Sequence, residues 1–307
     1  MNNNEEMAKK TNINWYPGHM AKTMRQIEAD VRIVDVIIEL LDARIPLASQ
    51  NPDIQRRIKN KNKIVVLNKA DLADEKMNQK WVAYFETRGI PAVLVDSNSG
   101  KGIDKFIKKI EQVMQEMLDE QASKGRIGRK IRAMIIGIPN VGKSSFINRI
   151  SKRTTAEVGN KPGVTKQKQW IRINEKIELL DTPGVLWPKF ESEEVALNLA
   201  FTGTIKENVL HRTEIAYQLV KFLLENYRER LCQRYGLTEE YIKNILEQEQ
   251  PENFNIYEIM LEIGKKRGCI ISGGNIDEEK TSKIILDEFK NGKLGKITIE
   301  CPTEDRT

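Results

Sequence analysis

The chain has 307 residues, 39% of them hydrophobic and 31% charged, with a formal net charge of +6; this leaves room for two domains in an ordinary charge-rich α/β composition. Cys232, Cys269 and Cys301 are odd in number and share no metal-ligand spacing, which argues against a disulfide scaffold and for a reduced, cytoplasmic chain. No apolar run approaches the roughly 20 residues of a membrane span, the first residues carry no signal-peptide pattern, and the positive balance mildly favours an anionic partner such as nucleic acid.

Residues 1–12 are polar. Trp15-Tyr16-Pro17-Gly18-His19-Met20 is a turn flanked by aromatics that leads into a helix pattern over 20–31. A strand-like apolar run at 34–41 ends in Asp42-Ala43-Arg44-Ile45-Pro46. Residues 54–58 have helical spacing, and the β-branched run 64–67 suits a buried parallel strand. A helix is expected at 75–88, a strand at 92–95 and a helix at 103–118. Residues 121–130, with Ser123, Gly125 and Gly128 among basic residues, read as an internal linker.

An apolar run at 131–136 and a helix over 144–150 follow, then a polar, glycine-bearing loop at 152–166. Residues 169–173 and 177–180 form a hairpin pattern turning at Asn174-Glu175. From about Ile205 the alternation stops, and helical patterns cover 211–235, 238–246, 256–266 and 278–289, with a short strand pattern at 297–299. Strands alternating with helices predict a parallel sheet with covered faces. The expected division is a first domain at 1–204 and a mainly helical one at 205–307.

Between the run at 131–136 and its helix stands Gly137-Ile138-Pro139-Asn140-Val141-Gly142-Lys143-Ser144-Ser145. Gly137 and Gly142 let the backbone turn tightly and bring its N–H groups onto a chain of phosphates, so Asn140, Val141, Gly142, Lys143, Ser144 and Ser145 form the expected phosphate-binding set. Lys143 reaches the terminal phosphates, the Ser144 hydroxyl can ligate Mg²⁺, and the helix N-terminus adds a positive dipole end.

Other strand ends supply the rest. In Asn68-Lys69-Ala70-Asp71 the Asp71 carboxylate can accept from N1–H and the exocyclic amine of guanine, donors that adenine lacks there. Asn68 can reach the base's other edge while the Lys69 stem packs over its face. Standing alone, the tetrapeptide reads equally well as a capped turn. Asp96-Ser97-Asn98 fits a backbone clamp on guanine O6. In Asp181-Thr182-Pro183-Gly184, Asp181 would hold Mg²⁺ through water and the Gly184 N–H would touch a γ-phosphate; Thr165 is the candidate for a second hydroxyl on Mg²⁺. Together these strand ends describe a site for GTP or GDP.

Their order is unusual, because the guanine-reading motif precedes the phosphate loop. The same sheet can still form, since permutation is tolerated where the original termini lie close together, and 121–130 would join those ends. With this order the chain resembles the circularly permuted GTPases of ribosome assembly, of the RbgA (YlqF) type. Trp15 to Met20, Asp42 to Pro46 and residues 290–300 also look like that family. The expected fold class is therefore an α/β P-loop GTPase with a circularly permuted, parallel-type sheet and a C-terminal helical domain.

Hydrolysis needs a group to orient water, yet Val185 and Leu186 follow Gly184 and cannot hydrogen-bond one. The resemblance implies that His19 takes this role; the residues alone leave open a histidine on an N-terminal loop or one contacting RNA. It likewise marks Asn140 as the position where GTPases of this group bind K⁺. The implied partner is the immature large (50S) ribosomal subunit, through rRNA and ribosomal proteins, with no membrane and with the chain as a monomer. Arg228, Arg230 and Arg234, and Lys265, Lys266 and Arg267, read as solvated faces by spacing; the resemblance turns them toward rRNA phosphates. A GTPase of a protein or tRNA pathway, and a structural RNA-binding protein using GTP only for stability, stay open as other classes.

Overall fold

The computed structural model describes residues 18–126, 128–158, 170–188, 190–205, 211–249 and 251–302, with the side chains of 18–21, 153–158 and 252 outside that description. The chain divides into two compact units, one running to Phe190 and resuming at Thr298, the other from Glu191 to Ile297. The expected boundary at 204/205 is thus corrected at both ends. The Phe201 ring packs edge-on against Phe289 within the second unit, while Thr298 and Glu300 hydrogen-bond to Asp74, Leu47 and Ala48 of the first.

Among the described residues of the first unit, strands β1 (Val36–Asp42), β2 (Asn62–Asn68), β3 (Ala92–Leu94), β4 (Ile131–Gly137), β5 (Trp170–Arg172) and β6 (Ile177–Asp181) form one sheet. Their spatial order is β3-β2-β1-β4-β6-β5. All neighbours run parallel except the β5–β6 hairpin at the edge. Every residue of β1 is buried, as expected of an apolar strand covered on both faces. Register aligns Asp42 with Asn68, Leu40 with Gly137, and Ile135 with Asp181. The motif-bearing residues therefore leave the sheet at its carboxyl edge. Between β1 and β4 the strand order reverses, which is where open α/β sheets form their ligand crevice.

Helices α1 (Gly18–Val31), α2 (Pro52–Ile58), α3 (Glu75–Thr87), α4 (Ile103–Val113), α5 (Gln115–Ser123) and α6 (Lys143–Val158) belong to the same unit. Met24 and Ile27 of α1 and Ile54 and Ile58 of α2 pack with Ile37, Met134 and Ile136 of the sheet. Trp81 and Phe85 of α3 pack with Leu41, Val65 and Leu67. Three expectations shift. The helix at 103–118 breaks at Met114, and its second half continues to Ser123, shortening the linker. The loop expected from 152 begins later, because α6 runs on to Val158; Lys152, Arg153, Ala156 and Glu157 are good helix formers that need no apolar stripe. The remainder of that stretch, 159–166, lies outside the described residues.

The second unit contains α7 (Glu193–Phe201), α8 (Arg212–Asn226), α9 (Arg228–Tyr235), α10 (Glu239–Leu246), α11 (Glu252–Lys266) and α12 (Glu278–Lys290). The helix expected at 211–235 is interrupted at Tyr227, whose φ of −142° is far from helical. Ser192, Thr238 and Asp277 cap α7, α10 and α12 with their side-chain oxygens. The pattern at 297–299 forms no strand; the Ile299 N–H donates to Arg44 O at 2.8 Å instead.

Candidate functional site

The phosphate loop leaves β4 at Gly137 and enters α6 at Lys143. Within it Asn140 has φ 60° and Gly142 φ 94°, so the chain turns through left-handed backbone before the helix begins. At Gly142 the space is closed as well: a Cβ there would sit 2.4 Å from Asn68 Nδ2. Asn68 bonds to two neighbouring loops. Its Nδ2 donates to Val141 O at 2.9 Å, and its Oδ1 accepts from Ser97 Oγ at 2.6 Å and Ser97 N at 3.3 Å. Asn68 thereby pins the guanine-motif loop, the phosphate loop and the 96–98 loop together.

Lys69 follows with φ 58°, an uncommon conformation for lysine. Its Nζ donates to Asn140 O at 2.7 Å and to Asp42 Oδ2 at 2.9 Å. Asp42 is buried and also receives Arg44 N at 3.1 Å and Arg44 Nε at 3.0 Å on Oδ1. Burial works to raise the Asp42 carboxyl, and the Arg44 and Lys69 cations overcome it, holding Asp42 well below the ordinary carboxylate range.

Ala70 N donates to Val95 O and its carbonyl accepts from Asn78 Nδ2, so the turn presents Asp71 outward. Partial burial, first, and the nearby Asp96 carboxylate raise the Asp71 carboxyl; two N–H donors from a guanine would act in the opposite direction and favour the ionised acceptor. Asp96 itself accepts from the Asn98 and Ser99 N–H groups and shapes its own turn. Ser97 is buried, its carbonyl taken by Arg149 Nε at 3.2 Å, and Asn98 is exposed.

Across the loop, Lys143 Nζ lies 3.0 Å from Asp181 Oδ1, so the lysine and the carboxylate at the end of β6 share one space. Ser144 and Ser145 stand exposed in the first turn of α6. Thr182 Oγ1 donates to Ile135 O and fastens the end of β6 to β4, while Gly184 approaches Pro139 of the phosphate loop. Asn51 Nδ2 donates to Val185 O at 2.9 Å, a tie to the segment beyond Gly184. Thr165 and the His19 side chain lie outside the described residues.

Asp42 and Asn51 were not among the expected site residues. A charge closing a mostly apolar run, and Asn-Pro-Asp opening a helix, are the signals each carries in sequence; neither names its partner. In the second unit, Arg234 and Arg267 both pair with Glu288 and Arg228 Nε donates to Leu224 O, so these guanidinium groups are partly engaged inside the unit. Among the described residues no helix is long and apolar enough to cross a membrane.

One crevice thus holds a phosphate loop, a guanine-type Asn-Lys-x-Asp loop and an Asp-x-x-Gly strand end in permuted chain order, which defines a circularly permuted P-loop GTPase. A family model described as "50S ribosome-binding GTPase" matches residues 132–257, beginning on β4 and leaving Asn68 to Asp71 outside, as permutation requires. The chain is 45% identical over 292 residues, 95% of both chains, to Ribosome biogenesis GTPase A of Bacillus cereus. It also resembles YlqF of T. maritima in a GDP-bound structure, with a TM-score of 0.65 and 26% identity over 91% of this chain and all of that one. A GNP-bound structure of T. maritima YlqF gives a TM-score of 0.62, covering 92% of this chain and 99% of that one. The chain belongs to the ribosome biogenesis GTPase A family.

It hydrolyses GTP to GDP and phosphate, and GTPases of this kind work with Mg²⁺. The donors present fit that ion. Asp181 and Ser144 offer hard oxygens beside Lys143, and among the described residues no cluster of three His, Cys, Asp or Glu side chains competes as a separate metal cage. Mg²⁺ characteristically takes one or two such ligands and completes its shell with phosphate oxygens and water.

Proposed function

We propose that the chain docks on the immature large ribosomal subunit in its GTP form, hydrolyses the nucleotide there, and leaves. The observation that carries this reading is the Asn68–Val141 hydrogen bond of 2.9 Å, which joins base-reading and phosphate-binding loops into one site. The name and full-length similarity of the Bacillus cereus relative supply the ribosomal setting, and with it the cytoplasm.

In this reading Asp71 accepts from guanine N1–H and its amine, the Lys69 stem covers the base, and the Ser97 backbone, set by Asp96 and Asn98, clamps O6. Lys143 and the N–H groups of Asn140, Val141, Gly142, Ser144 and Ser145 hold the phosphates. Ser144 and Thr165 would hold Mg²⁺, with Asp181 acting through water, and the ion would neutralise charge on the phosphate oxygens. The Gly184 N–H meets the γ-phosphate, and His19 orients the attacking water. K⁺ held at Asn140 would offset charge on the phosphates. Arg228, Arg230 and Arg234, with Lys265, Lys266 and Arg267, meet rRNA phosphates.

The test is the GTP hydrolysis rate with and without purified large-subunit particles, in K⁺ and in Na⁺. Stimulation by the particles supports the reading. Stimulation only by another partner points to a protein or tRNA pathway, and no turnover under any condition points to a structural RNA-binding protein. The variant His19→Ala should lose turnover and keep GTP affinity; lost affinity would remove His19 from catalysis.

A further inference from the structure

We propose that Asp42 is a positioning residue for nucleotide binding: it sets Lys69 across the guanine site before any ligand arrives. The proposal rests on the reading that this crevice binds guanine nucleotides. Asp42 and Asn68 are register partners at the ends of β1 and β2, so the residue after Asn68 emerges beside the Asp42 carboxylate. The Lys69 backbone then turns left-handed, φ 58°, and its amine returns to two oxygens, Asp42 Oδ2 at 2.9 Å and Asn140 O at 2.7 Å. A lysine stem held only at its Cα samples many rotamers, at about 2 kcal/mol of entropy when it is fixed. Here both ends are fixed by the protein, and the stem runs past Gly142, whose Cβ position would lie 3.9 Å from Lys69 Cε.

Asp42 can impose that geometry because it is itself immobile. Its side chain is 3% exposed and is gripped by Arg44 Nη2 at 2.9 Å. Its own N–H donates to Ser49 Oγ at 3.1 Å. The Asn140 carbonyl, the other acceptor, belongs to the phosphate loop itself and carries no charge to match the amine. The carboxylate thus anchors the amine that ties the guanine loop to the phosphate loop. Ordering that costs free energy at binding in a loose site is completed during folding here.

A double-mutant cycle distinguishes this from a purely structural Asp42–Arg44 turn. The affinity of fluorescent N-methylanthraniloyl-GDP is measured for the full chain and for Asp42→Asn, Lys69→Met and the double variant, with thermal melts confirming folding. Asp42→Asn should weaken binding roughly tenfold in the native background, as loss of a charged hydrogen-bond partner does. In the Lys69→Met background it should change affinity by less than about twofold, the scatter within which independent mutations add. An equal loss in both backgrounds, or none in the native one, overturns the proposal. If Asp42→Asn does not fold, Asp42→Glu keeps the charge, moves it by one methylene, and enters the same cycle. A native chain that binds labelled GDP no better than labelled ADP would instead remove the guanine-site reading beneath it.

Discussion

Asn51 gives its side-chain N–H to the main-chain oxygen of Val185, 2.9 Å away and 134 residues on in the chain. The other end of the same amide caps α2, accepting from Asp53 N at 3.0 Å and Ile54 N at 3.2 Å. One side chain therefore starts a helix and holds the segment that follows Gly184. Asn51→Asp separates the two tasks, because it keeps the cap acceptor and turns the donor into an oxygen facing a carbonyl. GTP hydrolysis should fall about tenfold with GDP affinity nearly unchanged. Single-turnover hydrolysis beside a GDP titration checks this, and parallel losses in both would assign Asn51 to general folding.

Gly142→Ala tests the closeness of the phosphate loop to the guanine loop. The added Cβ would press on Asn68 Nδ2 and would also have to hold φ 94°. Strain of this kind costs on the order of 1–3 kcal/mol, and the displaced Asn68 would release Val141 and Ser97 together. Affinity for GDP and GTP should drop at least tenfold with the fold retained, as circular dichroism would show. Unchanged affinity would mean that these loops move independently.

Asp71→Asn should exchange one base for another. A carboxylate accepts from the guanine N1–H and amine, whereas an amide can donate to the carbonyl that xanthine carries in place of the amine. Recognition by hydrogen bonding discriminates by roughly 10⁴-fold, so the variant should lose GTP and gain xanthosine triphosphate. Competition binding with the two triphosphates measures it; retained GTP preference would place Asp71 away from the base.

Glu300→Ala addresses the returning C-terminal segment. Its carboxylate accepts Leu47 N at 2.6 Å and Ala48 N at 2.9 Å, while its main-chain oxygen takes Trp81 Nε1 at 3.0 Å. Losing the carboxylate should cost about 1–2 kcal/mol, read as a lower urea midpoint at unchanged m-value. It should also speed proteolysis after residue 298. A midpoint identical to the native one would show that the segment is held by its backbone alone.

The strand-end motifs were legible because phosphate and guanine dictate short local patterns: Gly142-Lys143-Ser144 needs only its neighbours to make sense. Partners far apart in the chain were not. No local pattern names the bond from Asn68 to Val141, 73 residues on. Asp42 stands out as a charge ending an apolar run, yet only strand register brings Lys69 beside it. The last turns of α6 carry no apolar face, so periodicity could not mark them. The β-branched pattern at 297–299 promised a strand, but Ile299 makes a single main-chain bond to Arg44 instead of joining the sheet. The fold class was readable for the opposite reason, since buried parallel strands write themselves as continuous apolar runs.

The chain passes out of the nucleotide-binding unit after Phe190 and re-enters it at Thr298, so the helical unit is an insert and not an appendage. A tail swings on a single root. An insert has two, and here each root lies a few residues from a clasp supplied by the connection between β1 and α2: Val185 is gripped by Asn51, and Glu300 by Leu47 and Ala48. Both ties thus fall within the nucleotide-binding unit, on the connection that follows Asp42, the carboxylate paired with Lys69.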